Sequence, residues 1–214
     1  EIVLLDARLV GQGASGRNSG FAVAVSHFPG AYDAAQRGEY RRVNRINQAG
    51  LDILRSQIAG QNIECQWRES GIYHTAADQF ARRECGNFLQ YLETMEIAHT
   101  PLDRQGLHEG LGTALYQTGV HVHAGALVQP AALVRGLADS LPDNVRLYEQ
   151  SPVLAIETGP PLTLKLPRGS VQTDKLILAI NHEAPKLGFL RHRLTASTLS
   201  GSFTRTLDDE ELAS

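Results

Sequence analysis

Sulfur, long apolar runs and concentrated charge are all scarce in this chain of 214 residues. Each scarcity removes a class of function. The two cysteines, Cys65 and Cys85, lack metal-ligand spacing, so reduced thiols in a cytoplasmic protein are expected rather than a disulfide scaffold or a zinc centre. No apolar run approaches the roughly 20 residues that a helix needs to span a bilayer, and no secretory signal pattern opens the sequence. A formal net charge of -3, with Lys and Arg scattered, gives no reason to expect nucleic acid or an anionic membrane as partner. The densest basic cluster, Arg37, Arg41, Arg42 and Arg45, reads as a solvated helix face. There is no G-x-S-x-G elbow, no internal repeat and no low-complexity segment, so nucleophilic hydrolase and repeat architectures are not expected.

What is abundant is glycine near the start, in E-I-V-L-L-D-A-R-L-V-G-Q-G-A-S-G-R-N-S-G. Ile2 to Leu5 is a short apolar run suited to a buried parallel strand, and Asp6 would stand at the carboxyl edge of its sheet. An acid there can accept hydrogen bonds from both hydroxyls of a ribose. Gly11, Gly13, Gly16 and Gly20 follow, with Ser15, Arg17 and Asn18 among them. Glycines let backbone N–H groups approach a ligand, and the polar side chains supply donors for phosphate oxygens or ring edges. The loop is expected to hold an anionic nucleotide.

The order V-L-L-D-A-R and then G-A-S-G-R-N-S-G resembles the second cofactor-binding segment of the FAD-dependent D-amino-acid oxidase (DAO) family. That family includes glycine oxidase, D-amino-acid dehydrogenase and gamma-glutamylputrescine oxidase types. The resemblance implies FAD as cofactor, Asp6 with Ala7 and Arg8 at the ribose, and Gly13, Ala14, Ser15, Gly16, Arg17 and Asn18 along the pyrophosphate towards the flavin ring. The family's G-x-G-x-x-G, which precedes this segment, is not in the sequence. The chain is therefore expected to be a fragment, or the product of a truncated gene, lacking the first strand and the C-terminal part.

Further along, Tyr40, Val43, Ile46, Gly50, Ile53, Leu54 and Ile58 recur at helical spacing, predicting one amphipathic helix over residues 32 to 59 that stops at Gly60. Short strands are expected at Ile63 to Arg68 and Gly71 to Thr75, a helix over 77 to 95, and a strand over Ala114 to Val122. Pro130 fits the first turn of a helix whose buried stripe is Leu133, Val134, Leu137 and Leu141. The stretch H-A-G-A-L-V-Q-P-A-A-L-V-R-G-L-A also resembles the family, where it returns the chain to the cofactor domain. Val145 to Leu147, Val153 to Ile156, Leu162 to Leu166 and Gly169 to Thr173 read as short strands. Leu176 to Ile180, five apolar residues, reads as a buried central strand with Asn181 leaving it. The resemblance implies that the Val153 backbone meets the adenine and that Ala179 and Asn181 lie by the pyrophosphate. Residues 193 to 212 read as an alternating strand and a helix start.

The expected fold is α/β, α+β overall: an incomplete FAD-binding, Rossmann-like parallel sheet over residues 1–60 and 125–188, interrupted by a mixed or antiparallel substrate-domain sheet over 61–124 and 189–214. The resemblance implies hydride transfer from a small amine or amino acid to flavin N5, with no single acid or base to be named. The alternative expectation is a non-catalytic remnant that binds no FAD and self-associates as a homo-oligomer through unpaired sheet edges. His121 and His123 would share one face of a strand, a spacing zinc sites use. No third ligand supports them, so ordinary half-buried histidines are expected. Trp67 and Tyr73 fit either an active-site wall or a structural place in the small sheet.

Overall fold

The computed structural model describes residues 1–25, 31–196 and 205–213. They divide into two compact units, Glu1–Leu9 with Asn144–Ser214, and Val10–Asp143.

The Val10–Asp143 unit is built on a three-stranded antiparallel sheet under a helix. Its first strand, β2 (Phe21–Ala22; β1, Ile2–Leu5, belongs to the other unit), pairs antiparallel with β6 (Ala126–Leu127). Helix α1 (Arg37–Gly60) follows a 3-10 turn, Ala34–Gln36, whose N-cap Asp33 accepts from the Ala35 N–H at 2.9 Å. The face of α1 that is withdrawn from water runs Tyr40, Asn44, Asn47, Leu51, Leu54, Ile58, an unbroken series of three- and four-residue steps. Ile46, Gly50 and Ile53, expected in that stripe, point to solvent. Two asparagines hid the true face from a hydrophobic count. Asn44 is explained by its partner, donating to and accepting from the Tyr91 hydroxyl at 2.7 and 3.0 Å.

The sheet runs β3 (Ile72–Ala76), β5 (Thr118–Val122), β4 (His99–Asp103) in spatial order. Helix α2 (Gln79–Thr94), capped by the Asp78 carboxylate on the Ala81 N–H at 2.7 Å, lies against β3 and β5. Phe88, Tyr91 and Leu92 from α2 bury Val120 and Val122, which alternate with His121 on the other face, as strand periodicity requires. Strand β4 and helix α3 (Arg104–Leu111) have no counterpart among the elements expected from the sequence. Pro101 argues against a strand unless the strand is at an edge, and β4 is an edge.

The expected strand over Ile63 to Arg68 is not formed beyond one bridge, Arg68 to Leu127. Ile63 and Cys65 instead enter a second core with Val128 and Leu133. Leu133 comes from α4 (Pro130–Asp139), which has Pro in its first turn as predicted and the Gln129 side chain accepting from the Ala132 N–H at 2.7 Å. Gly136 makes the packing possible, since a Cβ there would sit 2.3 Å from Ile63 Cγ2.

In the other unit, β1 (Ile2–Leu5) pairs parallel with β7 (Val145–Tyr148). Strands β8 (Ala155–Glu157), β9 (Leu162–Leu166) and β10 (Gly169–Thr173) form an antiparallel sheet in the order β10, β9, β8. Two expectations fail here. Strand β1 is parallel, but Ile2, Val3 and Leu4 are exposed. Parallel strands are buried only where helices cover their faces, and the helical segments described in this unit are a 3-10 stretch, Asn181–Leu187, and the five-residue α5 (Asp209–Ala213). Leu176 to Ile180 forms no strand, and Ile177 is 90% exposed. A strand exists through its ladder, and no described strand pairs with this run. The strand expected near residue 193 falls largely outside the described residues, while the helix start does form, as α5.

Candidate functional site

The glycine-rich segment between Val10 and Phe21 folds into a tight loop because its chain crosses itself. A Cβ on Gly16 would stand 2.2 Å from the Gly11 carbonyl oxygen, and one on Gly20 would stand 2.1 Å from that of Val128. Gly20 also has φ of +79°, a conformation that disfavours a side chain. Ala14–Gly16 form a single 3-10 turn, with the Gly16 N–H donating to Gly13 at 3.2 Å and that of Arg17 to Ala14 at 3.2 Å. Asn18 locks the turn: its amide donates to the Ser15 and Ala14 carbonyls at 2.8 and 3.2 Å and its Oδ1 accepts from the Gly20 N–H at 2.9 Å. The side chain expected to reach a ligand thus serves the loop. Ser15 and Arg17 are exposed, and neither side chain has a hydrogen-bond partner among the described residues. Gly13 has open space where a side chain would be. Helix α4 packs on this turn.

In the unit holding β1, Asp6 stands at the end of the strand as expected. Its N–H donates to Tyr148 at 3.0 Å and its carbonyl accepts from Ser151 at 2.8 Å, while Gln150 donates to the Arg8 carbonyl at 3.1 Å. One carboxylate oxygen accepts from the Arg8 N–H at 2.9 Å. The other has no partner among the described residues. Ala7 and the Arg8 side chain are exposed. Val153 lies just before β8, and its backbone N–H and carbonyl make no hydrogen bond among the described residues. Ala179 is exposed within the unpaired run. Asn181 opens the 3-10 stretch with φ of +48°. Beside it, the Glu183 carboxyl is held below the usual carboxylate range, first by the Lys186 ammonium at 2.5 Å and to a smaller degree by His182 and Arg8. The Glu183 carboxylate is thereby paired within its own turn.

The histidine pair is spent on protein partners. His121 stacks on Tyr73 with ring centroids 4.3 Å apart, and its Nε2 lies 2.9 Å from the Ser70 carbonyl. Thr100 Oγ1 lies 2.7 Å from His123 Nε2. Trp67 donates to Glu69 at 2.7 Å. Cys65 and Cys85 have their thiols pushed up by burial, which makes them poor nucleophiles.

Two concavities flank α2, and Cys85 lines both. One, of about 540 Å³, includes Arg82 and Arg104. The other, of about 520 Å³, lies between α2, β2 and β3 and includes Phe21, Phe80 and Glu84. Neither was legible in the sequence, where their residues are scattered over more than one element.

The residues fit a dinucleotide ligand within each unit. In one, glycines that admit no Cβ border Ser and Arg donors without partners among the described residues, and in the other an acid with one oxygen unpartnered among them ends a parallel strand.

Comparison with known proteins agrees in kind. Residues 1–211 match the family described as DAO, FAD dependent oxidoreductase. Gamma-glutamylputrescine oxidoreductase of Escherichia coli is 27% identical over 190 residues, covering 85% of this chain and 43% of that protein. A probable oxidoreductase, OrdL, of Haemophilus influenzae is 27% identical over 195 residues, covering 85% and 43%. The chain thus spans less than half the length of these relatives. Among solved structures, glycine oxidase from Geobacillus kaustophilus superposes with a TM-score of 0.70 at 16% identity, over 87% of this chain and 50% of that one. L-Amino acid deaminase from Proteus myxofaciens gives 0.63 at 16% identity, over 86% and 41%. At these identities the structural likeness speaks for the fold alone.

Proposed function

Because the chain belongs to the FAD dependent oxidoreductase (DAO) family, we propose that it takes part in oxidising a carbon–nitrogen bond of a small amine or amino acid. In this reading residues 1–60 and 125–188 belong to a Rossmann-like FAD domain, and 61–124 with 189–214 to the substrate domain. When bound, FAD supplies the redox chemistry, accepting at N5 a hydride from the carbon that bears nitrogen. The chain's own residues bind and orient. The unpartnered Asp6 oxygen accepts from ribose hydroxyls, the Val153 backbone meets the adenine, and Ser15 and Arg17 donate to phosphate oxygens. Gly13 and Gly16, with Ala14, let the backbone come close, and Asn18 holds their turn in shape. Ala7 and Arg8 border the ribose, and Ala179 and Asn181 the pyrophosphate.

The observation that carries this reading is the self-crossing loop, in which a side chain at Gly16 would overlap Gly11 while Ser15 and Arg17 have no partners among the described residues. A second reading draws on the exposed Ile2, Val3, Leu4 and Ile177: a chain that holds no FAD and pairs with copies of itself through β1. An absorption spectrum after incubation with FAD and desalting separates the two. Retained flavin bands in the parent, weakened in Asp6→Ala and in Arg17→Ala, are expected. A colourless parent that sediments as a concentration-dependent oligomer would replace the first reading with the second.

A further inference from the structure

The cleft between α2, β4 and the start of β5 gathers charge of one sign. Arg82 and Arg104 both line it, no Asp or Glu does, and its volume of about 540 Å³ is in the range that small organic ligands occupy. Arg82 donates through Nη2 to the Gln117 side-chain carbonyl, a neutral partner that holds the guanidinium at the cleft and leaves its charge uncompensated. The Arg104 side chain makes no hydrogen bond or ion pair among the described residues. Neither arginine serves its helix. Both fall within the first four residues of α2 and α3, where a positive charge opposes the helix dipole.

Gly86, in the middle of α2, lines the same cleft. Glycine inside a helix costs stability, and packing does not call for it here, since a Cβ would enter open space. Its effect is to keep the cleft open beside Cys85, Leu89 and Pro101. The cleft lies at the Thr118 end of β5, where Thr118 pairs with Ala76 and Asp103. The glycine loop adjoins the Val122 end, through the β2–β6 pair and the bond from the Gly71 N–H to the Gly125 carbonyl at 3.1 Å. About 13 Å of strand separates the two ends, so this is a place apart from the loop.

We propose that the cleft binds a small organic phosphomonoester, its dianion between Arg82 and Arg104 and its body on Leu89, Pro101 and the bare helix surface at Gly86. Two guanidiniums match two negative charges, and their planar forks suit phosphate oxygens. A single carboxylate would leave one of them uncompensated. The Gln117 amide N–H groups, unpartnered among the described residues, add a donor. This binding needs no flavin and is independent of the amine oxidation proposed above.

The test is a titration of the full chain, without added FAD, with phenyl phosphate and separately with the monoanion benzenesulfonate and with inorganic phosphate, followed by amide chemical shifts. Phenyl phosphate is expected to saturate shifts at residues 82–89, 101–104 and 117–119, and to bind about tenfold or more tightly than either of the others. Arg104→Gln, at an exposed position, should remove the advantage over benzenesulfonate. Gly86→Leu should abolish binding while leaving the urea midpoint unchanged or raised, which separates a filled cleft from an unfolded chain. Equal binding of the three anions, an unaltered Arg104→Gln or Gly86→Leu, shifts confined to residues 11–20, or no saturable shift up to about 10 mM would overturn the proposal.

Discussion

Strands β5 and β1 are both short and both carry branched apolar residues, yet those residues meet water very differently. Val120 and Val122 are 0% and 2% exposed, whereas Ile2, Val3 and Leu4 are 55%, 40% and 43% exposed. Hydrophobicity alone predicts the reverse, since β1 is Ile-Val-Leu-Leu and β5 is Thr-Gly-Val-His-Val. What separates them is cover: α2 lays Phe88, Tyr91 and Leu92 on the β3–β5 face, while β1 is described with β7 as its ladder neighbour and no long helix in its unit. An apolar run states a capacity for burial, and a second layer realises it.

The largest effect should come from the covered side. Leu92→Ala, at a fully buried position, is expected to cost about 3 kcal/mol in urea unfolding. Leu4→Ala, exposed as it is, should cost less than about 1 kcal/mol. Equal losses would break the comparison. A smaller change probes how the same core tolerates polar groups. Tyr91→Phe deletes the hydroxyl that exchanges hydrogen bonds with Asn44 and should cost about 1 kcal/mol; an unchanged midpoint would mean that the pair contributes nothing net.

The smallest effect lies at the rim. Glu69 has its carboxyl held below the ordinary glutamate range, first by the hydrogen bond from Arg55 and then by that from Trp67. A depressed folded-state value means that the contribution is complete above the unfolded glutamate value and is lost as pH falls through the lower, folded one. Trp67 is the sole tryptophan, so its fluorescence should titrate with a midpoint on the acid side of an ordinary glutamate. A midpoint at or above the ordinary value would contradict the pairing.

Strands β9 and β10 have the bounds the sequence reading predicted, Leu162–Leu166 and Gly169–Thr173, because their alternation and turns are local. Helix α3 is not legible in the sequence, since Gly106 and Gly110 dilute its pattern. Composition predicts a strand at Leu176 to Ile180, although a strand also needs a ladder partner that composition does not reveal. The glycine loop was legible because close backbone approach demands glycine at particular positions. The role of Asn18 was not: its residue type suits a ligand and a turn equally, and only the bonds to Ala14, Ser15 and Gly20 distinguish them. The arginine cleft draws on residues from α2 to β5, a juxtaposition made by folding alone.

Peptide-resolved hydrogen exchange, with and without FAD, tests the account most directly. Amides of β5 should exchange slowly in both conditions, and those of β1, the loop over residues 11–20 and residues 176–181 should exchange quickly alone and slow when FAD is added. If β1 exchanges as slowly as β5 without FAD, and FAD changes none of these segments, both the contrast in cover and the assignment of the cofactor site are wrong.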